Sequence, residues 1–391
     1  MKKEYIIGLI CGACFCAGLL WYAWHHDIVL IMPRKTSVFE VAQSEQSSKQ
    51  SVRVYHWQEK AMAQETINCI WPHDFDGQVS YLTQAWLDVA QGDTKKPVTV
   101  ERAVSAQAHN ELFISFDRVP WDKDWSVERK IQIIESYLRI LRENVSNTMT
   151  VRFLVHNEPM QDAHIDLSRG LPATGFSGEY SAHAQSCITR QNGKQGYTIV
   201  LDPSGDGATT GRVVDEVFER GLSLQFAQAL KAEIEKMRSD VHVVLSRFPG
   251  EKVDPLQSVS FANRLQADLF VGIGFYEQQH PSVRMHTYFY LYNPQMDFLR
   301  KQPTGPDFIP SQDAYLVSLS LSACCARSLV DGLKTQPQAA SSMIDKSKGV
   351  PLISLVGATM PSLYFEFGIH NKTDWNFVLQ PVAKSLIELF A

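Results

Sequence analysis

The spacing of apolar residues changes character along this chain. From Tyr5 to Trp24, "YIIGLICGACFCAGLLWYAW", apolar residues run on with no charged residue among them. That is about the 20 residues a helix needs to cross a bilayer core. From Pro33 to Lys60 the chain is polar and rich in Ser and Gln ("VAQSEQSSKQS"). No apolar period runs through it, so residues 28–60 read as a linker holding the later domains off a membrane. Beyond Lys60 apolar positions recur with the periods of helices and strands.

Val79, Leu82, Trp86 and Val89 recur at steps of three and four, which puts them on one face of a helix. "PVTVERAV" (97–104) and "ELFISF" (111–116) read as strands. Ser126 is placed as the N-cap of an amphipathic helix that turns Ile131, Ile134, Tyr137, Leu138 and Leu141 inward. "TVRFLV" (150–155) is the next strand. This order predicts a compact α+β domain over 61–190, with a loop-like stretch at 170–192.

From Tyr197 the pattern alternates. Strands are predicted at 197–202, 242–247, 267–275, 284–292 and 362–367, and helices near 219–238, 256–266, 313–333 and 373–390. Alternation of this kind predicts an α/β domain over 191–391, built on a mostly parallel sheet. Sites in such sheets lie at the carboxyl ends of strands, so the loops after Asp202, Gly272 and Glu366 are the ones to inspect.

Composition alters this picture little. The 391 residues are 45% hydrophobic and 20% charged with net charge −5. That is an ordinary globular balance, and it excludes the basic excess of a nucleic-acid-binding protein. Lys2 and Lys3 precede the apolar run, and Trp21, Tyr22 and Trp24 close it. The reading is an anchor over 1–27 with a cytoplasmic N-terminus and extracytoplasmic domains. A cleaved signal peptide is the alternative. Cys11, Cys14 and Cys16 lie inside the run, and a Cys69–Cys187 bridge stays open. Cys324 and Cys325 are adjacent, so a bond between them would be strained.

The chemistry centres on "TIVLDPSGDGATT" (198–210), a strand opening into a glycine-rich turn with Asp202, Ser204 and Asp206 but no His, Cys or Lys. No G-x-S-x-G, H-E-x-x-H or Walker loop occurs. Ser204 has no His nearby in sequence to activate it.

Several segments, in order, carry a family resemblance. "IVLDPSGDG", "FERGLSLQFAQALKAEI" (218–234), "VHVVLSR" (241–247), "FANRLQADLFVGIG" (261–274) and "MPSLYFEFGIHN" (360–371) together resemble the zinc-dependent N-acetylmuramoyl-L-alanine amidases, which cut the stem peptide from peptidoglycan. Upstream, "NELFISFDRVPWDKDWSVERKIQIIESYLRILRE" and "VRFLVHNEPMQDAHIDL" are similar to GerMN domains of envelope proteins.

The resemblance implies a zinc held by two His and one Glu, an open position for water, and a separate Glu as general base. Carried over by position, the ligand His slots fall on Gly205 and Gly274, the ligand Glu on Glu219 and the base on Glu366. Glycine has no donor atom. The closing motif is also a residue short at "EFGIHN", and the Arg that normally precedes the A-N pair falls on Ser258. Asp202, Asp206, Arg220, Asn263 and His286 are the candidates for lining the old groove, with His280 and His370 in loops beside it.

The resemblance therefore implies a membrane-anchored envelope protein on an amidase fold that holds no cofactor and partners peptidoglycan or envelope proteins. The alternative is an active amidase with zinc in an atypical shell. For Glu219 and Glu366 the structural alternatives are a helix N-terminal acid and a strand-end acid with a local donor. For His286 it is a strand residue with a satisfied hydrogen bond.

Overall fold

The computed structural model describes residues 49–58, 61–91, 96–145, 149–179, 188, 196–300, 308–339 and 341–390. The expected membrane segment, the linker as far as residue 48, and Cys187 lie outside the described residues. Among these residues no single helix is long and apolar enough to cross a membrane.

Contacts divide the chain into two units. One takes the residues up to Pro120 with 139–161 and 167–173; the other takes 121–138, 162–166 and everything from Thr174. The first unit opens with an antiparallel pair, β1 (Lys49–Gln58) and β2 (Ala61–Ile70). This corrects the linker expectation for residues 49–58. Val52 and Val54 alternate with polar neighbours and are fully buried, a period-two signal that the polar composition around it hides.

Helix α1 (Phe75–Gln91) comes next, with Val79, Leu82 and Trp86 buried as their spacing predicts. Strands β3 (Val100–Ala106), β4 (Glu111–Phe116), β5 (Thr150–Val155), β6 (Glu158–Pro159) and β7 (Leu171–Pro172) form a sheet in the order β3-β4-β5-β6, with β7 also on β5. Helix α2 (Val127–Asn144) connects the parallel strands β4 and β5. The Ser126 hydroxyl accepts from Arg129 N at 3.2 Å, the expected N-cap. Residues 127–138 of this helix belong to the second unit.

The second unit is built on a mixed sheet. Its strands are β8 (Tyr197–Pro203), β9 (Val213–Val214), β10 (Val217–Phe218), β11 (Val241–Leu245), β12 (Leu269–Glu277), β13 (Arg284–Tyr290), β14 (Met343–Ile344), β15 (Lys348–Val350) and β16 (Ser362–Ile369). The order is β11-β8-β12-β16-β13-β14, with β15 also on β13, while β9 and β10 form a separate hairpin. Every pairing in the large sheet is parallel except β13 with β16.

Strands β12 and β16 are buried almost end to end. This is why they read as continuous apolar runs rather than alternating ones. Each fully buried Leu, Ile, Val or Phe among them contributes about 1.5–3 kcal/mol. Helices α3 (Glu219–Met237), α4 (Pro255–Arg264), α5 (Leu319–Thr335) and α6 (Asn376–Glu388) complete the unit. Asp254 caps α4 in a capping box with Gln257.

The register places Gly272 beside Asp202, and Gly274 beside Glu366, with His286 opposite Glu366 on the other side. Cys69 is a free thiol, so the Cys69–Cys187 bridge does not form. Cys324 is disulfide-bonded, but not to its neighbour, because Cys325 is free.

Candidate functional site

The strand ends bring the sequence-predicted slots together. Glu219, the first residue of α3, is 1% exposed. Its Oε1 accepts from Phe275 N at 2.8 Å and its Oε2 from Arg212 N at 3.0 Å. A Cβ added to Gly274 would lie 3.1 Å from that Oε1, so this slot does face the Glu219 carboxylate.

Glycine is required at both slots for reasons of space. At Gly274 an added Cβ would stand 2.0 Å from the hydroxyl of Tyr364. That hydroxyl lies 3.2 Å from Ser204 Oγ, and burial, with the charge of Glu219, pushes the phenol's pKa far up. Gly205 has φ +73°, and an added Cβ would stand 2.7 Å from Arg220 Cβ. The left-handed conformation and the close approach both favour glycine there. The turn is tied by Asp206, which accepts from Ala208 N at 2.8 Å, Thr209 N at 2.6 Å, Thr209 Oγ1 at 2.6 Å and Val253 N at 3.0 Å. Burial alone would raise this carboxyl's pKa, but those donors hold it at about 2.

The centre of the site is a residue the sequence did not single out. Arg212 is 2% exposed. One terminal nitrogen, Nη2, lies 2.7 Å from Glu366 Oε1 and 2.7 Å from His164 Nε2. The other, Nη1, donates to Phe275 O at 3.0 Å. Burial would lower its pKa, but Glu366, Glu219 and Tyr364 together outweigh burial and raise it. Arg212 Nε is buried with no partner among the described residues.

Glu366 is fully buried. Beyond Arg212, both its oxygens accept from Val127 N, at 2.9 and 3.0 Å. Val127 is the first residue of α2, where backbone N–H groups lack helical partners and favour an anion.

A second ion pair stands behind this one. Lys130 Nζ lies 2.6 Å from Asp162 Oδ2 and 3.2 Å from His164 Nδ1. Asp162 also accepts from Trp121 Nε1 at 2.9 Å, His164 N at 2.8 Å and Ile165 N at 2.9 Å. Burial would raise its pKa, but Lys130 and these donors lower it. His164 is held neutral: burial first, then the charges of Arg212 and Lys130, hold its pKa well below the usual histidine range. Arg212 and a charged Lys130 can only donate, so each ring nitrogen faces a donor and a second proton on the ring is disfavoured.

Beside the cluster is a cavity of about 630 Å³, lined among others by Asp202, Ser204, Asp206, Arg212, Lys252 and Tyr364. Glu219 reaches its wall and Glu366 does not.

The remaining candidates divide. Asp202 lines the cavity and takes a 2.5 Å hydrogen bond from Ser246 Oγ; burial raises its pKa. Arg220 lies with Lys372 along a separate 390 Å³ groove. Asn263 is a strut, bonded to Gly357 O at 2.9 Å and Thr359 Oγ1 at 2.9 Å. His286 bonds Asp345 Oδ2 through Nδ1 at 2.9 Å and Tyr276 OH through Nε2 at 3.1 Å, a strand residue with satisfied hydrogen bonds. His280 and His370 make loop contacts with Ser282 N and Gln278 O.

The donor set does not fit a catalytic zinc. Such a site takes three protein ligands and an open position. Here two slots are glycine, one of them blocked by Tyr364, and both oxygens of Glu219 accept backbone N–H groups. Among the described residues no group of three or more His, Cys, Asp or Glu could hold a metal. Arg212, His164, Lys130, Asp162 and Val127 escaped sequence reasoning. Arg212 carries no motif, and its one local signal is a lone charge just ahead of the apolar hairpin "VVDEVF".

Residues 199–387 match the family model described as N-acetylmuramoyl-L-alanine amidase. No curated protein matches the chain. Among solved structures, the chain is similar to the catalytic domain of CwlV, an N-acetylmuramoyl-L-alanine amidase from Bacillus (Paenibacillus) polymyxa, at 18% identity over 49% of this chain and 95% of that one, with TM-score 0.35. AmiC2 of Nostoc punctiforme is similar at 17% identity over 49% and 96%, TM-score 0.33. Apo Ami1 from Mycobacterium abscessus is similar at 14% identity over 50% and 97%, TM-score 0.36.

Proposed function

We propose that this chain, with an N-acetylmuramoyl-L-alanine amidase domain over residues 199–387, is an extracytoplasmic envelope protein that binds peptidoglycan or regulates its turnover without cleaving it. The state of Glu366 carries this reading. A general base must present a free lone pair to the water it activates. Glu366 is fully buried, off the cavity wall, and bonded by Arg212 and by Val127 N. Removing that carboxylate from its partners would leave a buried guanidinium uncompensated, at a cost of about 3–5 kcal/mol.

The 630 Å³ cavity lies in the range of small-ligand sites and supports a retained binding role. An anchor over 1–27 and a GerMN-like region upstream, both expected from the sequence, would make this a tethered interaction protein.

The test uses the full chain in detergent. Purified protein is mixed with cell-wall sacculi, sedimented, and the supernatant analysed for released stem peptides, while bound zinc is measured by atomic absorption. Co-sedimentation without release and with substoichiometric zinc is expected. Release of stem peptides with one zinc per chain would establish instead an active amidase with an atypical metal shell.

A further inference from the structure

The site has lost a metal's ligands but not its need for positive charge. Glu219 and Glu366 are both buried, at the start of α3 and within β16. Two carboxylates so placed repel one another in a medium where charge is poorly screened. This chain carries both acids and sets Arg212 against them, whose guanidinium bonds Glu366 and whose backbone N–H bonds Glu219.

We propose that Arg212 is a built-in surrogate for the missing cation: a charge supplied by the chain itself that compensates the two relict carboxylates and locks the cleft in one metal-independent state. This rests on the reading of the domain as non-hydrolytic.

The chemistry suits that role and no other the metal had. A guanidinium is permanently charged, planar and rich in donors, so it can bridge several acceptors in a buried site. It has no vacant coordination position, so it cannot lower the pKa of a bound water as zinc does. It keeps the electrostatic function and discards the catalytic one.

The lock reaches beyond the two acids. Arg212 Nη2 also meets His164, and Glu366 receives Val127 N. Segments 121–138 and 162–166, both upstream of the matched amidase residues 199–387, are thus fastened to the cleft through the same cation. In the register of the fold, Ile165 forms a bridge with Leu352, and Asp166 Oδ2 accepts from Tyr290 OH at 2.8 Å, so the second segment is seated along its length.

The experiment compares full-length wild type, Arg212→Met, Glu366→Gln and the double variant by thermal unfolding, each with EDTA and with added ZnCl₂. Wild type is expected to melt at the same temperature in both conditions. Arg212→Met is expected to melt lower, and adding Glu366→Gln is expected to return part of the loss. Hydrogen exchange should speed up in 121–138 and 162–166 in Arg212→Met more than in an equally destabilised Gly274→Ala control.

Wild type stabilised by zinc overturns the proposal. So does an Arg212→Met variant that melts like wild type, or losses that simply add in the double variant. If Arg212→Met fails to fold, the zinc titration of wild type and the double variant still decide: the double variant should fold, and its failure to fold as well overturns the proposal. Stem-peptide release from sacculi would overturn the functional reading and this proposal with it, whereas the melting outcomes above overturn the proposal alone.

Discussion

Adding one methyl group at Gly274 tests whether the lost ligand position is now occupied. In the fold an alanine Cβ there stands 2.0 Å from Tyr364 OH and 2.9 Å from its Cζ, against about 3.4 Å for an ordinary contact. Tyr364 is itself buried, and its hydroxyl is held near Ser204 Oγ, so the ring has little room to retreat. Overpacking of this kind costs roughly 1–3 kcal/mol. For a domain of this size that is about 2–12 °C in melting temperature.

Tyr364→Phe removes the nearest atom at the cost of one hydrogen bond, about 1 kcal/mol. The two changes should therefore couple. Gly274→Ala with Tyr364→Phe should be less destabilised than the sum of the singles by about 1 kcal/mol. Recovery should be partial, because Cζ stays close. The measurement is a double-mutant cycle by urea denaturation, checked by calorimetry. Equal stability of Gly274→Ala and wild type, or strict additivity, would show that the slot is open after all. The same geometry says that His introduced at Gly205 and Gly274 together destabilises the chain without recruiting zinc, since Arg220 and Tyr364 already fill the space.

Two further outcomes concern the second ion pair. Lys130→Met leaves Asp162 buried without its cation and should cost about 3–5 kcal/mol, with Asp162→Asn in the same chain restoring much of it; denaturation midpoints that do not recover would count against the pair. Acid should weaken the fold in stages, because both His164 and Asp162 have lowered pKa values in the native state. Above about pH 6.5 His164 is neutral folded or unfolded; below it the unfolded chain takes up a proton that the native site refuses, and stability falls by up to about 1.4 kcal/mol per pH unit. Asp162 adds its loss only below about pH 4, as pH drops toward its folded value. His164→Gln should flatten the slope between about pH 6.5 and 5, and an unchanged slope in that variant would refute the assignment.

Much of the architecture was written in local periodicity. The runs in β8, β12 and β16 and the heptad-like spacing in α2 each report burial by neighbouring layers, and burial is what periodicity encodes. The glycine-rich turn after β8 and the start of α3 at Glu219 were legible because a strand-end turn and a helix start carry local signals. β1 was missed because two buried valines among Ser, Arg and His are too few to outweigh the polar composition around them.

The cation could not be read from the sequence. Arg212, Glu366, Val127 and His164 are brought together from distant parts of the chain, and nothing in the residues beside Arg212 distinguishes it from a solvated surface charge. The sequence by itself determined that residues 205 and 274 are glycines with no side-chain donor atom, because donor atoms are a property of residue type. Only the tertiary structure decided that Arg212 is buried against Glu366 and His164, because the sign and strength of a buried charge interaction depend on distance and exclusion of water, which a chain acquires only when it folds.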